Sequence, residues 1–98
     1  MWLVVSYDIS SQEARAYRKL RKELQKAGFS FPQKSLGWKW VHSSERAESI
    51  LRNIRSAAPA SGHLLAWRIP DHVFAEGQCR KNGELVEMPD IPTPWIVA

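Results

Sequence analysis

The chain has 98 residues, 44% of them hydrophobic, a length at which one core buries about 60 to 65% of the unfolded surface and leaves modest stability that oligomerisation would raise. Fourteen Lys and Arg against ten Asp and Glu leave a formal net charge of +4 and a pI near 9.6, which favours polyanionic partners by long-range attraction without identifying one. Cys79 is the single cysteine, so an intrachain disulfide is excluded and a reducing compartment is expected.

The opening run Trp2-Leu3-Val4-Val5-Ser6-Tyr7 carries Leu3, Val5 and Tyr7 on one face and Trp2 and Val4 on the other, which predicts a central strand covered on both sides. It ends at Asp8, too early for a signal peptide or a membrane span. A cytoplasmic protein without membrane contact is therefore expected. Ser10 followed by Glu13 has the form of a capping box and predicts a helix start. At about 100° per residue, Ala14, Tyr17, Leu20, Leu24 and Ala27 share one side of that helix, and Arg15, Arg18, Lys19, Lys22 and Lys26 the other. Gly28 supplies a left-handed stop.

Residues Gln33 to Val41 alternate as one strand, with Leu36, Trp38 and Trp40 on one face and Gly37 marking a bulge or a close backbone approach. Ser43 and Ser44 are candidate caps for a second helix, in which Ala47, Ile50, Leu51 and Ile54 recur at helical steps until Pro59. His63 to Ile69 predicts a third strand, apolar on both sides, closed by Pro70-Asp71. Val73 to Lys81 and Glu84 to Met88 flank Asn82-Gly83, a strong two-residue hairpin signal. The end carries Pro89, Pro92 and Pro94, then Trp95-Ile96-Val97, which is costly to leave in water. Residues 84–98 are accordingly expected to form a strand and tail that contact a dimer mate or a partner.

These elements predict one α+β domain over residues 1–98. A ferredoxin-like β-α-β-β-α-β-type sandwich with an extra C-terminal hairpin strand is the simplest arrangement, although a helix between two strands does not force parallel pairing. Two helices cover only one face of the sheet, so the two-sided apolar strands predict a face-to-face homodimer.

Asp8 is the candidate reactive group. One carboxylate per subunit, doubled across a two-fold axis, could hold Mg2+ against a phosphate and support hydrolysis; an Asp at this point can equally serve only the turn before a helix. The ridge of Arg15, Arg18, Lys19, Lys22 and Lys26 could contact phosphates, or be an ordinary solvated helix face. Arg80 and Lys81 near the hairpin tip invite the same two readings, and Lys34 and Lys39 are weaker candidates. Trp38 and Trp40 share a strand face and fit burial better than base stacking. His42, His63, His72 and Cys79 lack zinc-site spacing, and no Gly-rich phosphate loop points to a nucleoside triphosphate.

The residues Leu3-Val4-Val5-Ser6-Tyr7-Asp8-Ile9, the basic helix ending near Leu24 and Gly28, and Gln33-Lys34-Ser35-Leu36 resemble the CRISPR-associated protein two family. The third strand, Arg80-Lys81 and the apolar C-terminus resemble its enteric-type branch. The resemblance implies a ferredoxin-like homodimer in CRISPR adaptation that bridges dimers of the CRISPR integrase, CRISPR-associated protein one, and holds double-stranded DNA on basic surfaces. It assigns metal binding between paired aspartates, and any nuclease chemistry, to Asp8, and DNA contacts to Arg15, Arg18, Arg80 and Lys81. The chain departs from the family where Leu36 is followed by Gly37 instead of an aromatic residue. The pattern from Tyr17 to Gly28 and Phe29 also resembles virulence-associated protein D, whose toxin-like endoribonuclease activity on RNA is the alternative.

Overall fold

A computed structural model describes residues 1–92. The chain forms β1 (Trp2–Asp8), a 3-10 turn (Ser11–Glu13), α1 (Ala14–Lys26), β2 (Ser30–Gln33), β3 (Leu36–Trp40), α2 (Ser44–Ala57), β4 (His63–Ile69), α3 (Asp71–Ala75), β5 (Cys79–Lys81) and β6 (Glu84–Val86). The first four strands make an antiparallel sheet in the order β2-β3-β1-β4, and β5-β6 is a separate two-stranded sheet. This mixed α+β arrangement fits a ferredoxin-like fold.

The helices begin and end on local chemistry. Ser10 accepts from the amide of Gln12 at 3.2 Å, and Ser43 accepts from the amide of Arg46 at 3.1 Å, so each serves one of the first-turn donors that lack a helical partner. The expected capping box does not form: Ser10 serves the amide of Gln12, whereas the amide of Glu13 donates to the Ser10 carbonyl. Glu13 does not reach back to Ser10; its carboxylate accepts instead from the Ser61 hydroxyl, at 2.5 and 2.6 Å. Gly28 follows α1 with φ +92°, and the amide of Phe29 closes onto the carbonyl of Leu24 at 3.1 Å, the left-handed stop expected there.

Two predicted strands are corrected. The stretch 33–41 is not one strand: β2 and β3 form a hairpin that turns at Lys34-Ser35. Three donors converge on the Lys34 carbonyl, the hydroxyls of Tyr7 (3.1 Å) and Tyr17 (2.8 Å) and the guanidinium of Arg21 (2.9 Å), while the Tyr7 amide donates to the Ser35 carbonyl at 3.0 Å. Those donors lie far along the chain, outside the reach of strand periodicity. Pro32 sits in β2, an edge strand, where a missing N–H is tolerated. Gly37 is a site of close approach, because a Cβ there would meet the rings of Phe29 and Phe31 at 3.3 Å.

The predicted strand 73–81 is likewise broken. Its first half is helical as α3, with the amides of Val73 and Phe74 both donating to the Pro70 carbonyl. Only Cys79–Lys81 pairs with Glu84–Val86, around Asn82 at φ +51° and Gly83 at φ +81°, the two-residue turn expected of Asn-Gly. Phe74 drives the change by burying itself on the sheet. Its ring stacks on Trp2 with centroids 4.1 Å apart and meets Trp38 edge-on at 5.2 Å.

The sheet therefore has two unlike faces. Under α1 and α2 lies the main core of Leu3, Val5, Tyr7, Leu20, Leu24, Phe29, Val41, Ala47, Ile50 and Ile54. On the opposite face Trp2, Val4 and Phe74 form a smaller cluster with Leu36, Trp38, Trp40, Ile69 and Met88 around it. The expectation that nothing within one chain shelters this second face is thus corrected: α3 covers part of it. Leu65 and Trp67 remain 55% and 46% exposed. The apolar end Trp95-Ile96-Val97, expected to dock on a partner, lies outside the described residues.

Candidate nucleic-acid and metal site

Asp8 is the last residue of β1, and its side chain is exposed. Residues two apart line one face of a strand, so Asp8 belongs to the same face as Trp2, Val4 and Ser6, the side turned away from α1 and α2. The register of β1 with β4 sets Asp8 opposite His63, Ser6 opposite Leu65 and Val4 opposite Trp67. Directly opposed residues project to the same side. The candidate carboxylate thus shares a face with the uncovered Leu65 and Trp67.

Gly62 brings β4 in against Asp8. It has φ +86°, and a Cβ at this position would lie 2.6 Å from the Asp8 carbonyl oxygen, so a side chain is excluded both by conformation and by space. The Glu13 to Ser61 hydrogen bond fastens the same loop to the start of α1. Among the described residues no group of three or more His, Cys, Asp or Glu side chains could hold a metal ion. Asp8 offers an oxygen donor of the type Mg2+ takes, but one chain supplies too few ligands to bind it without waters or a second copy.

Arg15, Arg18, Lys19, Lys22 and Lys26 are all exposed along α1, and among the described residues only Lys26 of these meets a carboxylate, Glu23 at 3.5 Å. A shallow groove runs between Arg15, Arg18, Lys19, Arg21, Lys22 and Gln25. Among the described residues Arg21 is the one cation there with structural work. Its guanidinium lies 4.0 Å from the centre of the Phe31 ring and donates to the Lys34 carbonyl and, at 3.4 Å, to the Tyr7 hydroxyl. Burial, opposed by the Arg21 hydrogen bond, holds the Tyr7 phenol above its usual pKa, which keeps it a donor to Lys34.

The structure does not gather all predicted contacts onto one surface. The ridge lies on the helix side of the sheet, whereas Arg80 and Lys81 sit on β5, in the hairpin whose Leu85 and Val86 border a groove with Trp2 and Phe74 on the opposite side. Both cations are exposed, and Lys81 is paired in register with Glu84. Lys39 is drawn against Gly28. Trp38 and Trp40 are half-buried around Phe74, and the Trp40 indole donates to Asp71 at 3.1 Å, so both are engaged in packing within the chain. The sequence reading missed Arg21, whose partners are set by tertiary folding, and the position of His63, which only strand register reveals.

No helix among the described residues is long and apolar enough to cross a membrane. The chain is 29% identical over 77 residues, 76% of each chain, to a protein of Parvibaculum lavamentivorans named CRISPR-associated endoribonuclease Cas2. The family model described as CRISPR associated protein Cas2 matches residues 1–76, a span that includes Asp8 and the α1 ridge and stops before Arg80 and Lys81. With the match extending from β1 through α3, the chain belongs to the CRISPR associated protein Cas2 family.

Proposed function

We propose that this protein works in CRISPR adaptation as a homodimer that bridges integrase subunits and holds double-stranded DNA along its basic flanks. The observation that carries the reading is the segregation of the surface: an apolar sheet face left open at Leu65 and Trp67, and a helix face lined with cations, four of them without a carboxylate partner among the described residues. Fully burying an exposed Leu side chain is worth about 1.5 to 3 kcal/mol, and Leu65 and Trp67 are still 55% and 46% exposed, so a second copy is a fitting cover for that face. The open edge of β4 adds unpaired backbone groups to the same region. Two copies joined in this way would bring two Asp8 carboxylates onto the shared face and turn their α1 ridges outward. Contacts of residues 84–98 with the mate or an integrase subunit belong to the same proposal.

Replacing Arg15, Arg18, Arg80 and Lys81 by Glu tests the DNA contacts. Duplex affinity should fall, and the salt dependence should flatten by roughly 0.9 in log-log slope for each phosphate that is no longer neutralised; an unchanged slope would exclude these residues from the interface.

A second reading, phosphodiester hydrolysis at Asp8, is favoured by the exposed carboxylate at the strand end and by the endoribonuclease name of the Parvibaculum relative. Bound Mg2+ would supply Lewis-acid activation of water and neutralise charge developing on the phosphate. Asp8 would hold and orient the ion, and the α1 cations would position the polyanion. A single carboxylate per chain is sparse for such chemistry, so the bridging role is preferred. Asp8→Ala should abolish metal-dependent cleavage of RNA or DNA and leave spacer insertion intact; a folded Asp8→Ala dimer that fails in insertion would contradict that order of roles.

A further inference from the structure

We propose that His63 is a second metal-ligating side chain beside Asp8, and that the pair makes this site one for a first-row transition ion in preference to Mg2+. The inference rests on the reading of Asp8 as the cation-binding carboxylate. Asp8 and His63 are direct partners in the antiparallel register of β1 and β4, and both are exposed. Such partners hold their Cβ atoms about 4.5 to 5.5 Å apart with side chains on one face. An ion bound at roughly 2.0 to 2.2 Å from a carboxylate oxygen and from an imidazole nitrogen fits between two such side chains.

The position of His63 is fastened on both sides of the chain. Gly62, immediately before it, approaches the Asp8 carbonyl so closely that any Cβ would collide. Ser61 is hydrogen-bonded to Glu13. On the other side the ladder with β1 continues without interruption from His63 to Ile69. The imidazole is therefore set beside the carboxylate by backbone structure and does not need a flexible loop to deliver it.

The donor types decide the ion. Mg2+ takes oxygen ligands, holds its waters tightly and demands near-octahedral geometry, so a nitrogen donor adds little to its binding. Imidazole favours the transition ions, with affinity that rises from Mn2+ through Co2+ and Ni2+ to a maximum at Cu2+ and falls again at Zn2+. One chain supplies two donors, leaving the remaining positions to water or to the same pair from a second copy.

The test uses untagged full-length protein with Mn2+ and Mg2+ as probes. Wild type should bind Mn2+ at least about tenfold more tightly than Mg2+ in calorimetric titrations. The electron spin-echo signal of the bound Mn2+ should show coupling to an imidazole nitrogen. His63→Gln should remove that coupling and reduce Mn2+ affinity by about tenfold while leaving Mg2+ binding unchanged; Asp8→Asn should weaken both ions. Nitrogen coupling absent from wild type, with Mn2+ binding abolished by Asp8→Asn and untouched by His63→Gln, would overturn the role of His63 alone. Failure of wild type to bind either ion would overturn the Asp8 reading together with it.

Discussion

On the helix side of the sheet Leu3, Val5, Leu20 and Leu24 are fully enclosed by α1 and α2, whereas on the other side Phe74 shelters Trp2 and Val4 but leaves Leu65 and Trp67 about half exposed. The same strands supply both faces, since alternate residues of β1 point to opposite sides. What differs is the cover. Two long helices, one entered through a 3-10 turn capped by Ser10 and the other capped by Ser43, complete one face, and a five-residue helix, held by Phe74 against Trp2 and Trp38 and by the Trp40 indole on Asp71, patches the other. The closed face accounts for folding; the open one carries Asp8 and is available to a second molecule.

Breaking the closed face should have the largest effect. Leu24→Ala removes a fully buried side chain and should cost about 4 kcal/mol, within the range for Leu truncations in tight cores. Chemical denaturation measures it. Phe74→Ala should cost about 3 kcal/mol, less because its surroundings open to solvent and can relax. If Phe74→Ala proved the more damaging, the patched face would be a second core and not a partly finished surface.

Smaller effects sharpen the contrast. Arg21→Ala should cost about 1 kcal/mol through its hydrogen bond to the Lys34 carbonyl, and should loosen the β2-β3 turn, seen as faster amide exchange at Gln33 to Leu36. Tyr7 gives a pH signature. Because burial raises its pKa above 10.0, the neutral phenol is favoured in the folded state. The stability from that shift is present in full below pH 10 and is lost as pH climbs through the raised value. Tyr7→Phe should flatten the alkaline decline in denaturation midpoint; an equally steep decline would place its origin elsewhere.

The elements readable from sequence are those with local causes. β1, α1, α2 and β4 follow from apolar periodicity, from Ser10 and Ser43, and from Gly28 and Pro59. The turn at Lys34-Ser35 and the helix at Asp71–Ala75 were not readable, because Tyr7, Tyr17 and Arg21 impose the first and Trp2 and Trp38 attract Phe74 into the second. The site divides in the same way. Asp8 and the cations of α1 stand out by position and spacing. The pairing of His63 with Asp8 depends on register, and the diversion of Glu13 to Ser61 depends on how the loop before β4 folds back. The sequence marks Leu65 and Trp67 as part of an apolar face that the two helices leave uncovered, and only the structure shows how much of that face α3 shelters.

The oligomeric state tests most directly whether the open sheet face is where two copies meet. Sedimentation equilibrium of wild type and of the double variant Leu65→Glu/Trp67→Glu should give a dimer and a folded monomer respectively, because both side chains already lie in solvent within one chain and their exchange should leave the helix-side core intact. A wild-type monomer at the highest soluble concentration, or a double variant that still dimerises, would contradict the account.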